Sequence, residues 1–444
     1  MKEDNELNYW NKNQKINYEK KNINDSTYFK KDRNREKSIM TVESTNDFQL
    51  EGLNSYNQNK KNLKTKFLGF PNIGFSCYMN SFLQILFHTP FFLTLLKKNY
   101  NKKNEEELNL IDCLINLSEN PRNIYILRSI KELMGKIDET FSKNIQKDSQ
   151  YFGVTLLNEM IFLIKNNYYQ DEDEYEENFY DDYVMNEEIS IFKIEKKKAA
   201  LFEDYIKKYY NKESEAFIEK MFQFHESKIK IDKKQFSNNL KIKKIEFETF
   251  LNMDLFFPYE NKQRYNIYDL LKNKYSNLSA LGNELPKINN TKNNKYIEKF
   301  LNLFRDNNNE NEFYNNTNEI KTNKNCILKR IYSLPNILII SINRMIIGKP
   351  FNKSKLIIQE NIDLKEYLDE NIDEENTTYS LYGINECLKI KEKFGHNFAY
   401  IKMDNKWFLF DDSKVLEKEP DFESEYVIGL YYVRDGFNDI NNNI

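Results

Sequence analysis

The chain has 444 residues, enough for two or three average domains or one large domain carrying insertions. With 66 basic against 69 acidic side chains and a net charge of −3, its overall balance argues for neither a nucleic-acid nor an anionic-membrane partner. An apolar share of 40% and a mean hydropathy of −0.78 describe a core diluted by polar Asn- and Lys-rich segments, and runs such as FFLTLL (91–96) fall far short of the ~18–20 residues of a membrane span.

Residues 1–63 are rich in Asn, Lys, Glu and Ser without a sustained period, and are expected to form a disordered leader. No basic, apolar, small-residue cleavage pattern opens it. From Cys77 to about residue 97 the apolar positions 79, 82, 83, 86 and 87 fall at helical spacing, punctuated by Pro90. In 146–165 the positions 152, 156, 157, 160, 163 and 164 mark a second helical face, with Asp148 or Ser149 as its N-cap. The stretch 170–188 carries ten carboxylates and no basic residue, so 166–195 is expected to be a solvated acidic insert. Residues 200–225 read as helical, and 238–258 and 265–275 as strands with a short helix. The low-complexity segment 283–325 reads as an insertion within a domain. Thereafter SLPNILIISINRM (333–345) and TYSLYGINECLKI (378–390) read as strands, and HNFAYIKM-DN-KWFLFDD as a hairpin. Helices early and strands late predict an α+β fold in which two halves meet, with 438–444 expected to be a disordered tail.

The four cysteines, at 77, 113, 326 and 387, stand singly, with no Cys-x-x-Cys pair to frame a zinc site or a disulfide scaffold. A reducing setting, cytoplasmic or nuclear, is the expectation. Cys77 sits where a loop meets a helix. A cysteine there is either a small buried hydrophobe or a nucleophile whose thiolate the helix N-terminus favours. A nucleophile needs an imidazole, and the sequence offers His88, His225 and His396. His88 is on the same helix, about 16 Å along the axis from Cys77. His225 has no motif around it and is expected at the surface. His396 opens the hairpin. A two-residue turn at Asp404-Asn405 pairs Met403 with Lys406, which puts Asp411 on the face of His396, diagonal to it, and Asp412 on the other. A three-residue turn would exchange the two aspartates. Gly74 lets the loop before Cys77 turn tightly, and the Asn72 amide is a candidate donor to a developing oxyanion.

PNIGFSCYMNSFLQILFHTPFF resembles the cysteine box of the ubiquitin-specific proteases, and GHNFAYIKMDNKWFLFDDSKV resembles their histidine box. QKDSQYF, SLPNILIISINRM and EYVIGLYYVR (425–434) are similar to three further family segments, in family order. The resemblance implies a catalytic domain over 64–437 with a papain-like right-hand architecture: a helical thumb, and a strand-rich palm and fingers. It implies Cys77 as nucleophile, His396 as general base and then acid, Asp411 as its orienting carboxylate, Asn72 as oxyanion donor and Asp412 as an auxiliary. The implied reaction is hydrolysis of the bond at the C-terminal glycine of ubiquitin through a thioester. Asp148, Gln150, Tyr151 and Gly395 would contact the tail. The implied partners are ubiquitin or ubiquitinated proteins, with no nucleic acid, membrane or cofactor. Two alternatives remain: a catalytically silent ubiquitin-binding scaffold, and a protease for a ubiquitin-like modifier.

The chain departs from the pattern at several places. Phe75-Ser76 replace Asn-Thr before the nucleophile, Gln150 and Tyr151 replace His and Glu, and Asn397 replaces the tyrosine after the histidine. Met345 replaces a phenylalanine after Arg344. The two Cys-x-x-Cys pairs of the fingers are missing, so no finger zinc is expected.

Overall fold

The computed structural model describes residues 68–100, 109–168, 183–210, 216–236, 239–258, 262–275, 325–344, 351–369, 372, 376–391 and 394–437. The expected leader, the bulk of the 283–325 insertion and the C-terminal tail lie outside these described residues.

The first half is helical: α1 (Cys77–His88), α2 (Phe92–Asn99), α3 (Leu110–Glu119), α4 (Ile124–Ile137) and α5 (Ser149–Tyr168). Helix α1 is the innermost, with every residue from Cys77 to Leu86 buried. Its polar members are all engaged. The Asn80 amide reaches the Phe70 and Pro71 carbonyls, Ser81 meets Ser149, and Gln84 donates to the Leu68 carbonyl. Helix α5 crosses α1 closely, because a Cβ on Gly153 would stand 2.0 Å from the Phe82 ring. Its N-cap is Asp148, whose Oδ1 accepts the Gln150 and Tyr151 N–H groups at 2.7 and 3.0 Å.

A finger-like sheet follows, with strand order β1-β3-β2-β6. Its strands are β1 (Tyr183–Ser190), β2 (Phe224–Phe236), β3 (Asn239–Phe250) and β6 (Asn325–Ser333). Helices α6 (Ile191–Tyr210) and α7 (Phe217–Phe222) precede β2. Within the expected 166–195 insert, α5 runs to Tyr168, and a strand and a helix begin at Tyr183 and Ile191. The helical reading of 200–225 is broken at 223, because β2 pairs with β3 and β6 on both its edges, and such ladders override local propensity.

The principal sheet has the order β13-β12-β11-β10-β15-β7-β4, with β9 also paired to β10. Its strands are β4 (Met253–Phe256), β7 (Ile337–Asn343), β9 (Asn361–Asp363), β10 (Thr378–Lys391), β11 (Phe394–Met403), β12 (Lys406–Asp411), β13 (Lys414–Glu417) and β15 (Val427–Arg434). A three-stranded sheet of β14 (Glu423–Ser424), β8 (Lys355–Ile357) and β5 (Arg264–Asn266) flanks it, and α8 (Ile267–Tyr275) follows β5. The continuous apolar runs of β7 and β15 are explained by burial of both faces. Alternate side chains serve separate cores. Ile337, Ile339, Tyr431, Ala399 and Ile401 pack with the helices of the first half. Leu338, Ile340, Leu430, Tyr432 and Tyr400 pack with β4, α8 and β8 on the far side.

The observed hairpin matches the derived register. Asp404 and Asn405 both have positive φ, 50° and 62°, as a two-residue turn of the type that follows strand twist requires. Met403 pairs with Lys406 and Ala399 with Phe410. Among the described residues, no single helix is long and apolar enough to cross a membrane.

Candidate active site

Residues 72–77 make a tight loop, with Gly74 at φ 100° and Phe75 at φ 49°. Phe75 therefore occupies the left-handed region that asparagine tolerates better, with its ring 43% exposed beside the loop. Asn72 holds the turn: its Oδ1 accepts from the Gly74 and Ser76 N–H groups and from the Ser76 hydroxyl. The Ser76 hydroxyl is spent within the loop, accepting from the Ile73 N–H, so it does not cap α1. The positive end of α1 is thus left facing Cys77, its first residue.

Two strand-borne groups and one from the turn after β12 face that helix end. His396 Nε2 hydrogen-bonds Asp411 Oδ1 at 2.5 Å, which leaves Nδ1 for the sulfur. The Cys77 sulfur lies in hydrogen-bonding reach of His396 and is the largest influence on the imidazole, raising it to about 9 against the opposing effect of burial, with Asp411 adding to the rise. Asp412, at φ 50°, turns toward the helices. Its Oδ2 accepts from the Asn72 amide at 2.9 Å and its Oδ1 from the Asn80 amide at 2.7 Å. Cys77, His396, Asp411, Asn72 and Asp412, singled out in the sequence, come together across one junction.

The sign of the His396 shift is checkable. Its folded value lies above the usual imidazole value of ~6.5, so the stabilisation from its partners is fully present below that pH and is lost as pH rises through about 9. Cys77→Ala removes the largest contribution. The His396 titration, followed by NMR of its ring protons, should fall from about 9 toward the ordinary range; an unmoved titration would contradict this coupling.

Two contacts at the site escaped the sequence reading. The Asn397 amide reaches Cys77 Sγ at 3.8 Å, with the residue 1% exposed. Lys131 is buried and donates to the Gly74 carbonyl at 2.9 Å and to Asn144 Oδ1 at 3.1 Å, bracing the loop from behind. Burial lowers its pKa. A signal for Lys131 existed, since the helical period puts it in the stripe of Leu127, Ile130 and Met134, all buried.

Of the histidines set aside, His88 ends α1 with Nδ1 against the Gln84 carbonyl at 2.7 Å. His225 is a correction: it is buried in β2, with Nδ1 on Ser333 Oγ at 2.6 Å, and desolvation lowers it to about 4. Among the described residues, one group of three possible metal ligands is found, His396, Asp411 and Asp412, with ligand atoms within 4.8 Å of one another. Those atoms already serve one another and the Asn72 and Asn80 amides.

The sequence profile described as Ubiquitin carboxyl-terminal hydrolase matches residues 68–432. The chain belongs to the ubiquitin carboxyl-terminal hydrolase family. A curated Arabidopsis thaliana member, Ubiquitin carboxyl-terminal hydrolase 4, is 31% identical over 107 residues, 22% of this chain and 29% of that protein, so the match spans under a third of the relative's length. The fold matches the SAGA Ubp8/Sgf11/Sus1/Sgf73 DUB module bound to ubiquitin aldehyde at 17% identity and a TM-score of 0.54, covering 83% of this chain and 70% of that one. The same module bound to monoubiquitin gives 16% identity and 0.53 over 83% and 69%. A yeast SAGA DUB module at 2.8 Å resolution gives 16% and 0.53 over the same shares. The α+β architecture is therefore that of a ubiquitin-specific protease catalytic domain.

Within this ubiquitin carboxyl-terminal hydrolase frame, the four residues expected to meet a substrate tail are placed less simply. Asp148 is exposed and caps α5. Gln150 is buried, with its amide against the Tyr431 hydroxyl at 2.8 Å, and it fills the space that a Cβ on Gly429 would need, joining α5 to the sheet. Tyr151 donates its hydroxyl to Asp138 at 2.7 Å. The Gly395 N–H is engaged by Gln146 Oε1 at 2.5 Å, and a Cβ there would stand 3.1 Å from Cys387 Sγ, a close approach that the side chains would have to ease.

Proposed function

We propose that the protein is a deubiquitinating cysteine protease that cleaves the bond between the C-terminal glycine of ubiquitin and a lysine or backbone amine. The observation that carries the reading is the imidazole of His396 held between the Cys77 sulfur and the Asp411 carboxylate, with the sulfur at the positive end of α1.

In this mechanism His396 takes the thiol proton and the Cys77 thiolate attacks the glycine carbonyl carbon. The charge that develops on the carbonyl oxygen is met by the helix-end N–H groups and the Asn72 amide, whose orientation Asp412 and the loop fix. Collapse breaks the carbon–nitrogen bond as His396 protonates the leaving amine, giving a thioester. His396 then takes a proton from water, whose oxygen attacks the thioester, and returns it to the departing sulfur. Each group is worth ~10²–10⁴ in rate. No step calls for a metal or cofactor.

The test is a ubiquitin carrying a thiol-reactive group at its C-terminus, incubated with the protein and with Cys77→Ala. Adduct with the first alone supports the reading. Binding without adduct would instead indicate a silent scaffold. Gln150 and Tyr151 are turned to internal partners where the family pattern has His and Glu, which favours keeping a second reading, a ubiquitin-like modifier as substrate. Adduct only with a ubiquitin-like probe would establish that reading over the first.

A further inference from the structure

His396 is one of two neighbouring β11 residues that reach the sulfur. The other is Asn397, where the resembled pattern carries tyrosine. It is 1% exposed, its Nδ2 points at Cys77 Sγ from 3.8 Å, and its Oδ1 has no hydrogen-bond partner among the described residues. A buried amide with one end unpaired is costly, and an apolar side chain of the same size would avoid the penalty. The arrangement makes sense if the donor end offsets the orphaned one.

We propose that Asn397 is a further catalytic residue: its amide donates to the Cys77 sulfur and stabilises the thiolate that His396 forms. This deepens the cysteine-protease reading and rests on it. The amide is suited to the role because it cannot titrate. It adds a fixed donor to a sulfur otherwise served by the helix end and by an imidazole whose charge comes and goes with pH. Its position is well supported, since Asn397 pairs with Cys387 across the β10–β11 ladder in the interior of the principal sheet. The titratable groups that interact with the sulfur are His396 from the hairpin and Tyr78 from α1 itself; Asp411 acts through the imidazole, and Cys387 of β10 lies opposite Asn397 in the ladder.

The test uses the full chain and iodoacetamide, from which the thiolate displaces iodide, with alkylation read at Cys77 by peptide mass spectrometry and free glutathione in the same tube as internal control. The variants are Asn397→Leu, which keeps the volume and loses the donor, and Asn397→Asp, which keeps the shape and sets a carboxylate against the sulfur. Asn397→Ala adds no volume and removes the orphaned oxygen with the donor, so it carries the test if the isosteres fail to fold; thermal unfolding reports folding in each case. In the folded variants, Cys77 alkylation at neutral pH should fall about tenfold or more, the range of a hydrogen bond to a charged group, with the acid limb of the pH profile moved to higher pH and Asp the most affected. Unchanged rates in the folded variants, or a fall with an unmoved acid limb, would overturn the assignment. The readout needs no ubiquitin, so failure of the ubiquitin reading shows separately, as a protein that alkylates normally and ignores the ubiquitin probe.

Discussion

Asp411→Asn should lower kcat by about 10²–10⁴ while KM stays within a few-fold. The carboxylate accepts from His396 Nε2 at 2.5 Å and so fixes the tautomer that leaves Nδ1 toward the sulfur. An asparagine of the same shape can offer its NH2 to Nε2 instead, which pushes the ring proton to the wrong nitrogen. It also removes one of the two influences that raise His396. Steady-state hydrolysis of a fluorogenic ubiquitin amide measures the change. A kcat within threefold of the parent would mean that the sulfur alone orients the ring, and that Asp411 is dispensable here. Asp412→Asn should behave differently, because its contacts run to Asn72 and Asn80 and not to the imidazole.

The largest stability effect is expected far from the sulfur. Lys198 on α6 meets Asp369 at 2.7 Å with side chains 4% and 1% exposed, and Ser227 on β2 also donates to the carboxylate. Asp369 in turn ties its backbone N–H to the Ile331 carbonyl of β6. Asp369→Ala takes the close carboxylate away from a buried ammonium and should cost about 3–5 kcal/mol, a large part of the ~5–15 kcal/mol that holds a typical domain together. Urea unfolding should show the loss as a lowered midpoint at constant slope. The double change Asp369→Leu with Lys198→Met should recover much of it, because the pair must first overcome its own desolvation. If the single variant lost under 1 kcal/mol, the pair would have to be far better hydrated than its burial implies.

How much of this was legible in the sequence depended on the range of the interactions involved. The hairpin was readable because Asp404-Asn405 is a local code: two residues that accept positive φ fix the turn length, the turn length fixes the register, and the register selects Asp411 over Asp412. Helix α5 was readable from its apolar face and from Asp148 as cap. What escaped was set by distant chain. His225 looked polar and exposed because its neighbours in sequence are polar, yet β3 and β6 flank it and Phe202 lies edge-on against its ring. Asn397 looked like a neutral replacement for tyrosine, since nothing local says that α1 will bring a sulfur against it. Gln150 looked outward-facing until Tyr431, 281 positions away, claimed its amide.

The reactive pair has unequal mechanical backing. The sulfur is mounted on α1, buried from end to end of its first ten residues, whereas the imidazole and its carboxylate ride on β11 and β12, two and one strands in from the margin at β13. Breathing confined to that margin would draw the imidazole away while the sulfur stayed anchored, so the pair can be parted by fraying a ribbon without melting the centre.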